Sequence, residues 1–107
     1  MHPWGLEERH WRELNELAVW PLQRAGCTVS IFGSRARGDH AKFSDVDILI
    51  EGPATRTQLS TIAEQLEEST LPVQVDLVLF QDLAESYRDG VLRDRVVLPI
   101  EGGIAKG

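Results

Sequence analysis

Two apolar segments and the short connection between them limit the fold of this chain more than any other feature. Residues 27–33 (CTVSIFG) and 45–51 (DVDILIE) have the apolar and β-branched content of strands, and eleven residues separate them. A parallel crossover needs a dozen residues or more, so we expect these strands to pair antiparallel. The run Ile48-Leu49-Ile50 puts apolar groups on both faces of the second strand, which is typical of an interior strand.

Apolar residues recur at helical spacing in three other segments. They predict helices over residues 5–20, 55–69 and 82–94, the last one weaker and beginning at Asp82 as its N-cap. Pro21 is expected to end or kink the first helix, because proline disfavours a helical conformation in the residue before it. The second helix begins with a capping-box pattern.

Two further segments complete the predicted sheet. Residues 73–80 (VQVDLVLF) predict a third strand, and residues 96–100 (VVLPI) predict a short edge strand in which a proline is tolerated. The helix before the third strand gives a connection long enough for parallel pairing with the second strand. The sequence therefore predicts an α/β fold in which helices flank a small mixed β-sheet.

Length and composition point to a single cytoplasmic domain. The 107 residues allow one core, which we divide into an N-terminal helical part (1–26), a catalytic core (27–100) and a flexible tail (101–107). No apolar run approaches the length of a membrane span, and the N-terminus lacks the apolar stretch of a signal peptide. Cys27 is the only cysteine, which excludes an internal disulfide and a cysteine-rich zinc site.

The charge balance limits the partners that the chain can bind. It carries 11 Lys and Arg against 17 Asp and Glu, a net charge of −6. This acidity argues against extended binding along a nucleic acid backbone. It leaves room for a small local basic site that receives a phosphorylated ligand.

Three aspartates fall where core strands should be apolar. Asp45 and Asp47 share one face of the second strand, about 6.6 Å apart at their Cα atoms, and Asp76 interrupts the third strand. Carboxylates so placed are costly unless a positive charge lies between them. We therefore predict that these three residues form an oxygen-ligand site for Mg²⁺ or a similar hard cation.

A basic segment between the first two strands is suited to phosphate. Gly33 would let a phosphate approach the backbone, and Ser34 would begin a short helical turn whose amides face the anion. The guanidinium of Arg37 can hold two phosphate oxygens, whereas Lys42 is equally a phosphate contact or an ordinary loop charge. Ser34 taken alone is also a common helix N-cap. Arg35 is expected to be solvated or to face a partner rather than a ligand.

Together the two elements describe phosphoryl or nucleotidyl transfer, with a polyphosphate held beside carboxylates that bind two metal ions. The segment GSRARGDHAKFSDVDILI, followed by VDLV, resembles the signature of the DNA polymerase beta-type nucleotidyltransferase superfamily. The resemblance is greatest to its smallest branch, the minimal nucleotidyltransferases. It covers residues 27–100 and includes a helix before the first strand.

This resemblance implies a nucleotidyltransferase fold that uses ATP and two Mg²⁺ ions. Matched by motif, Asp45 and Asp47 would bind both ions, while Asp76 would bind the catalytic ion and help deprotonate an acceptor hydroxyl. Ser34 would contact the terminal phosphates, and Arg37 the region of the β-phosphate.

Members of this branch are commonly antitoxins that form hetero-oligomers with HEPN-family toxin RNases. They silence the toxin by transferring AMP to one of its tyrosines, a reaction called AMPylation. The resemblance thus implies an ATP-dependent protein adenylyltransferase, and the short chain implies an acceptor carried by another protein. Two alternatives remain open: a nucleotide-binding antitoxin that acts by steric binding, and a small-molecule nucleotidyltransferase of the aminoglycoside type, whose members resemble this core with a further helical domain.

Overall fold

A four-stranded mixed sheet forms the centre of the computed structural model, which describes residues 3–39, 41 and 44–100. Its strands are β1 (Thr28–Phe32), β2 (Val46–Glu51), β3 (Val75–Leu79) and β4 (Val96–Val97). The strand order is β3-β2-β1-β4, and β2 pairs antiparallel with β1 and parallel with β3. The predicted α/β fold, the interior position of β2 and both pairing directions are confirmed.

Helices surround the sheet at every connection. Their bounds are α1 (Glu8–Leu14), a π-helical segment (Asn15–Val19), α2 (Trp20–Arg24), α3 (Ser34–Arg37), α4 (Arg56–Glu67) and α5 (Glu85–Asp94). Short 3₁₀ turns lie at Pro3–Gly5 and Phe80–Asp82. In the part of the chain described here, no helix is both long and apolar enough to cross a membrane.

Pro21 does not end the N-terminal helix, which continues to Arg24. The backbone instead widens into a π-helical segment just before the proline, where the N–H of Trp20 donates to the carbonyl of Asn15. Pro21 then lies in the first turn of α2, where a missing N–H is tolerated. The chain leaves the helix at Gly26, whose φ of +97° is readily adopted only by glycine.

The two predicted N-caps have different outcomes. Thr55 and Gln58 form the expected capping box at the start of α4. The prediction that Asp82 caps the last helix is wrong, because Asp82 ends a 3₁₀ turn and α5 begins after Ala84. The carboxylate of Asp82 instead accepts a hydrogen bond of 3.1 Å from Arg56.

The two faces of the sheet have different roles. Alternate strand residues, including Val29, Ile31, Val46, Ile48 and Ile50, join the core with buried side chains from the N-terminal helices and α4. The opposite face carries Leu49 and, two residues before it, Asp47. One face therefore supplies packing, and the other presents the predicted carboxylates. The predicted flexible tail, residues 101–107, lies outside the described residues.

Candidate active site

Asp47 and Asp76 lie side by side where β2 and β3 begin. The parallel register pairs their Cα atoms directly, and their carboxyl groups are within hydrogen-bonding reach of each other. Asp45 immediately precedes β2 rather than lying on it, and its charge still acts on Asp47. Asp47 is half-buried, while Asp45 and Asp76 are exposed. The fold thus brings together the acids predicted from two separate strands.

The surroundings of Asp47 disfavour its charged form. Burial, the charges of Asp76 and Asp45 and the hydrogen bond with Asp76 raise the pKa of Asp47 from its ordinary value of 3.8 to about 6, and Arg37 opposes this rise. Burial is the largest cause. A cation placed between these groups would relieve the repulsion and remove the cost of ionising Asp47.

The donor chemistry of the site suits a hard divalent cation. Carboxylate oxygens are the ligands that Mg²⁺ prefers, and Asp45, Asp47 and Asp76 would supply them. Within the described residues, however, no three His, Cys, Asp or Glu side chains already form a metal-binding cluster. The backbone therefore sets the carboxylates close together, and their side chains would have to turn toward an arriving ion.

Gly33 allows the turn after β1 to pass directly over Asp47. A Cβ atom at position 33 would overlap the Oδ2 atom of Asp47, and the glycine has a φ of +78° and a ψ of −155°. Both facts exclude a larger residue, because L-amino acids rarely adopt this conformation. The glycine predicted to approach a phosphate thus also borders the carboxylate predicted to bind metal.

The segment after Gly33 forms a single helical turn, as predicted. Ser34 begins α3, and its carbonyl accepts from the N–H groups of Gly38 and Asp39 at 2.9 and 3.1 Å. The side chain of Ser34 is half-buried beside Gly33. The turn ends at Gly38 in the left-handed conformation, with a φ of +87°.

Arg37 is exposed and carries two acidic partners. Its Nε donates to Asp39 at 3.1 Å, and its Nη1 donates to Asp94 at the end of α5 at 3.3 Å. These hydrogen bonds are the largest causes that raise the pKa of Arg37. The contact with Asp94 joins residues 57 positions apart, and no local pattern indicates it. A phosphate bound by Arg37 would have to compete with both carboxylates.

Arg35 contradicts the prediction that it is solvated or faces a partner. Its side chain is 2% exposed and donates to two backbone carbonyls, those of Ser44 and Trp4. Burial lowers the pKa of Arg35, while the charge of Asp45 opposes this effect. The prediction failed because charge alone does not reveal whether an arginine will find carbonyl acceptors inside the fold. The predicted phosphate contact Lys42 lies outside the described residues.

Comparison with known families assigns a class to this fold and its paired carboxylates. The chain belongs to the nucleotidyltransferase domain family, whose model matches residues 8–98. That match covers α1 to the end of the sheet and includes all three aspartates. The family suggested by the sequence motif is confirmed.

One protein of known sequence and one solved structure are similar to this chain. The chain is 36% identical over 73 residues to "Probable protein adenylyltransferase MntA" of Haemophilus influenzae, covering 66% of this chain and 64% of the relative, slightly under two thirds of its length. A solved structure described as "Structure of putative minimal nucleotidyltransferase" has a TM-score of 0.66 and 32% identity, covering 84% of this chain and 94% of that one.

A more distant structure shares the fold. The solved "Crystal structure of the toxin-antitoxin with AMP-PNP" matches with a TM-score of 0.60 and 22% identity, covering 87% of this chain and 79% of that chain. The four-stranded mixed sheet with its flanking helices is thus the fold of the minimal nucleotidyltransferases.

Proposed function

We propose that this protein is a Mg²⁺-dependent protein adenylyltransferase that moves AMP from ATP to a hydroxyl group of a partner protein. The observation that carries the proposal is the in-register pair Asp47 and Asp76 beneath Gly33. The proposal is supported because two carboxylates suited to metal binding lie directly against a turn that could admit a phosphate. The relative named as a protein adenylyltransferase supports the same reaction.

In the proposed reaction, each aspartate has its own part. Asp45 and Asp47 would hold two Mg²⁺ ions, and Asp76 would be a further ligand of one of them. When bound, the ions neutralise charge on the attacking and leaving oxygens. The acceptor oxygen bonds to the α-phosphorus of ATP, the bond to the bridging oxygen breaks, and pyrophosphate leaves. Asp76, the more exposed member of the pair, takes the acceptor proton.

The turn after β1 would hold the phosphates. Gly33 lets the phosphate chain approach the backbone, and Ser34 offers its hydroxyl and amide beside it. Arg37 would bind phosphate oxygens after exchanging its contacts with Asp39 and Asp94. Lys42 would be a further phosphate contact. Residues 27–100 form the catalytic core in this proposal.

We further propose that the acceptor is a HEPN-family toxin RNase, bound by this chain as an antitoxin in the cytoplasm. The motif resemblance implies this partner, and a structure of the same fold was solved as a toxin–antitoxin assembly with AMP-PNP. The net charge of −6 is compatible with a basic RNase partner.

The decisive experiment combines the protein, Mg²⁺, ATP labelled at the α-phosphate and the product of the neighbouring gene. We expect label on the partner protein, and its loss with Asp47→Asn or Asp76→Asn. Asp89→Asn, which removes one exposed acid from α5, is the matched control and should retain transfer. Unlabelled partner with undiminished neutralisation would instead indicate a steric antitoxin, and a small labelled product would indicate a small-molecule transferase.

A further inference from the structure

A buried arginine connects the N-terminal segment to the residue that precedes Asp45. The Nε and Nη2 atoms of Arg35 donate to the carbonyl of Ser44 at 3.1 and 2.8 Å. Its Nη1 atom donates to the carbonyl of Trp4 at 2.7 Å. One guanidinium therefore holds two chain segments that are distant from each other in sequence.

The contact with Ser44 fixes the backbone at the entrance to β2. Two donors on one carbonyl restrict its direction more than one donor can, because the planar guanidinium is rigid. Ser44 is also held from the other side, since its Oγ accepts from the N–H of Ala41 at 2.8 Å and its N–H donates to the carbonyl of Ala41 at 3.2 Å. The peptide that links Ser44 to Asp45 thus has a fixed orientation.

The contact with Trp4 links Arg35 to the N-terminal segment. Trp4 has a φ of +55°, an unusual conformation for a bulky residue, and its ring lies 6.5 Å from that of Trp11. These features set the Trp4 carbonyl toward Arg35 and tie it to the N-terminal helix. Arg35 is 2% exposed, so its guanidinium is bound by protein groups, these two carbonyls among them, rather than by bulk water.

We infer that Arg35 is a positioning residue of the metal site, which orients Asp45 through the carbonyl of Ser44 and couples that orientation to the docked N-terminal segment. The inference rests on the proposed function, because it requires that Asp45 bind metal. Arg35 itself touches neither metal nor nucleotide in this role. Arg35 is buried and donates to the carbonyls of Ser44 and Trp4, whereas Arg37 lies at the surface of the same helical turn.

The test uses Mn²⁺ as a probe of the metal site in the full-length, ¹⁵N-labelled protein. Mn²⁺ should broaden the amide signals of Asp45, Asp47 and Asp76, and a titration gives the Kd. Arg35→Lys keeps the charge but loses the planar guanidinium that donates twice to the Ser44 carbonyl. We expect the Kd to rise about tenfold, which is typical when a group that orients a metal ligand is lost. The Asp45 amide signal should also shift before metal is added. Arg9→Lys, an exposed arginine on α1, is the control and should change neither.

The outcomes separate this inference from the proposed function. A folded Arg35→Lys protein with the wild-type Kd overturns the positioning role and leaves the metal site intact. Wild-type protein that shows no broadening overturns both.

A measurement on the wild type covers the case in which the variant does not fold. The Arg35 Nε–H signal should move and exchange more slowly with water when diamagnetic Mg²⁺ is added. A signal that stays unchanged at saturating Mg²⁺ overturns the inference.

Discussion

The guanidinium of Arg37 and the carboxylate of Asp94 join α3 to the end of α5 by an ion pair of 3.3 Å. The Arg37 side chain is 47% exposed, so solvent weakens this pair. A second ion pair, between Arg95 and Glu51 at 2.7 Å, holds the next residue to β2. Removal of Asp94 should therefore release the Nη1 atom of Arg37, whose Nε remains paired with Asp39, while the end of α5 remains attached to the sheet.

We predict that Asp94→Asn increases the affinity for ATP with Mg²⁺, because one competitor for the Arg37 guanidinium is lost. An exposed ion pair is weak because solvent screens it, so we expect an increase of at most about fivefold. Isothermal titration calorimetry measures the change. Asp89→Asn on the same helix controls for the altered net charge, and an equal gain in that variant would assign the effect to long-range electrostatics.

We predict that Gly33→Ala strongly weakens metal binding at the proposed site while the protein still folds. Its Cβ would displace the Asp47 carboxylate and would also occupy a strained backbone conformation, at a cost of about 1–3 kcal/mol in the free energy of unfolding. Gly38→Ala is the matched control, since it has a similar φ of +87° and open space around the added atom. We expect Mn²⁺ affinity to fall in Gly33→Ala and to be retained in Gly38→Ala, with both stabilities followed by thermal unfolding. Equal Mn²⁺ affinities would refute the role of the contact with Asp47.

The raised pKa of Asp47 predicts how the metal-free protein responds to pH. The pKa is about 6 in the folded chain against an ordinary 3.8, so the folded state binds the proton more tightly. The stability contributed by this group is complete below pH 3.8 and is lost as the pH rises through 6. Asp47→Asn should not show that loss. Because Asp47 is partly exposed, we expect metal-free Asp47→Asn at pH 7.5 to be more stable than wild type by only about 1 kcal/mol, or about 4 °C in Tm.

Calorimetry from pH 4 to pH 8 in the presence of a chelator provides the measurement. The wild-type and Asp47→Asn curves should meet near pH 4, diverge as the pH rises from 4 to 6, and run parallel at their full separation above pH 6. Parallel curves over the whole range would contradict the prediction, since they would mean that the group titrates alike in both states.

Mg²⁺ should raise the Tm of the wild-type protein above pH 6 by several degrees at concentrations well above its Kd. The cation is expected to offset the repulsion among the three carboxylates. Asp45→Asn should weaken this response, because one ligand and one charge are lost. Differential scanning fluorimetry with and without MgCl₂ measures it. An unchanged response in Asp45→Asn would exclude Asp45 as a ligand.

Much of this arrangement could be predicted because it depends on short-range patterns. The antiparallel pairing of β1 and β2 follows from the eleven-residue connection, and the interior position of β2 follows from the apolar run after Asp47. The pairing of Asp47 with Asp76 follows from the parallel connection through α4. These features need no knowledge of which distant side chains meet.

The other features depend on contacts between residues that are distant in sequence, and these could not be predicted. Arg35 can be buried because the carbonyls of Ser44 and Trp4 accept its hydrogen bonds. The local sequence pattern indicates neither acceptor. Asp94 reaches Arg37 only when the fold brings the end of α5 to α3. Pro21 was expected to disturb the helix, but local propensity does not indicate that a π-helical segment would absorb the disturbance.

The register between β2 and β3 also has a consequence for how the chain acquires activity. Asp47 and Asp76 become neighbours only when a strand pairing closes across the whole of α4. Such non-local pairings form later than local helices and hairpins. Closing a long loop lowers the entropy of the chain before the contacts that stabilise the pairing have formed. The antiparallel pair of β1 and β2 can form first and already contains Gly33, Asp45 and Asp47. The proposed set of metal ligands is therefore completed only when β3 pairs with β2, and a chain folded without that pairing holds an incomplete set of carboxylates.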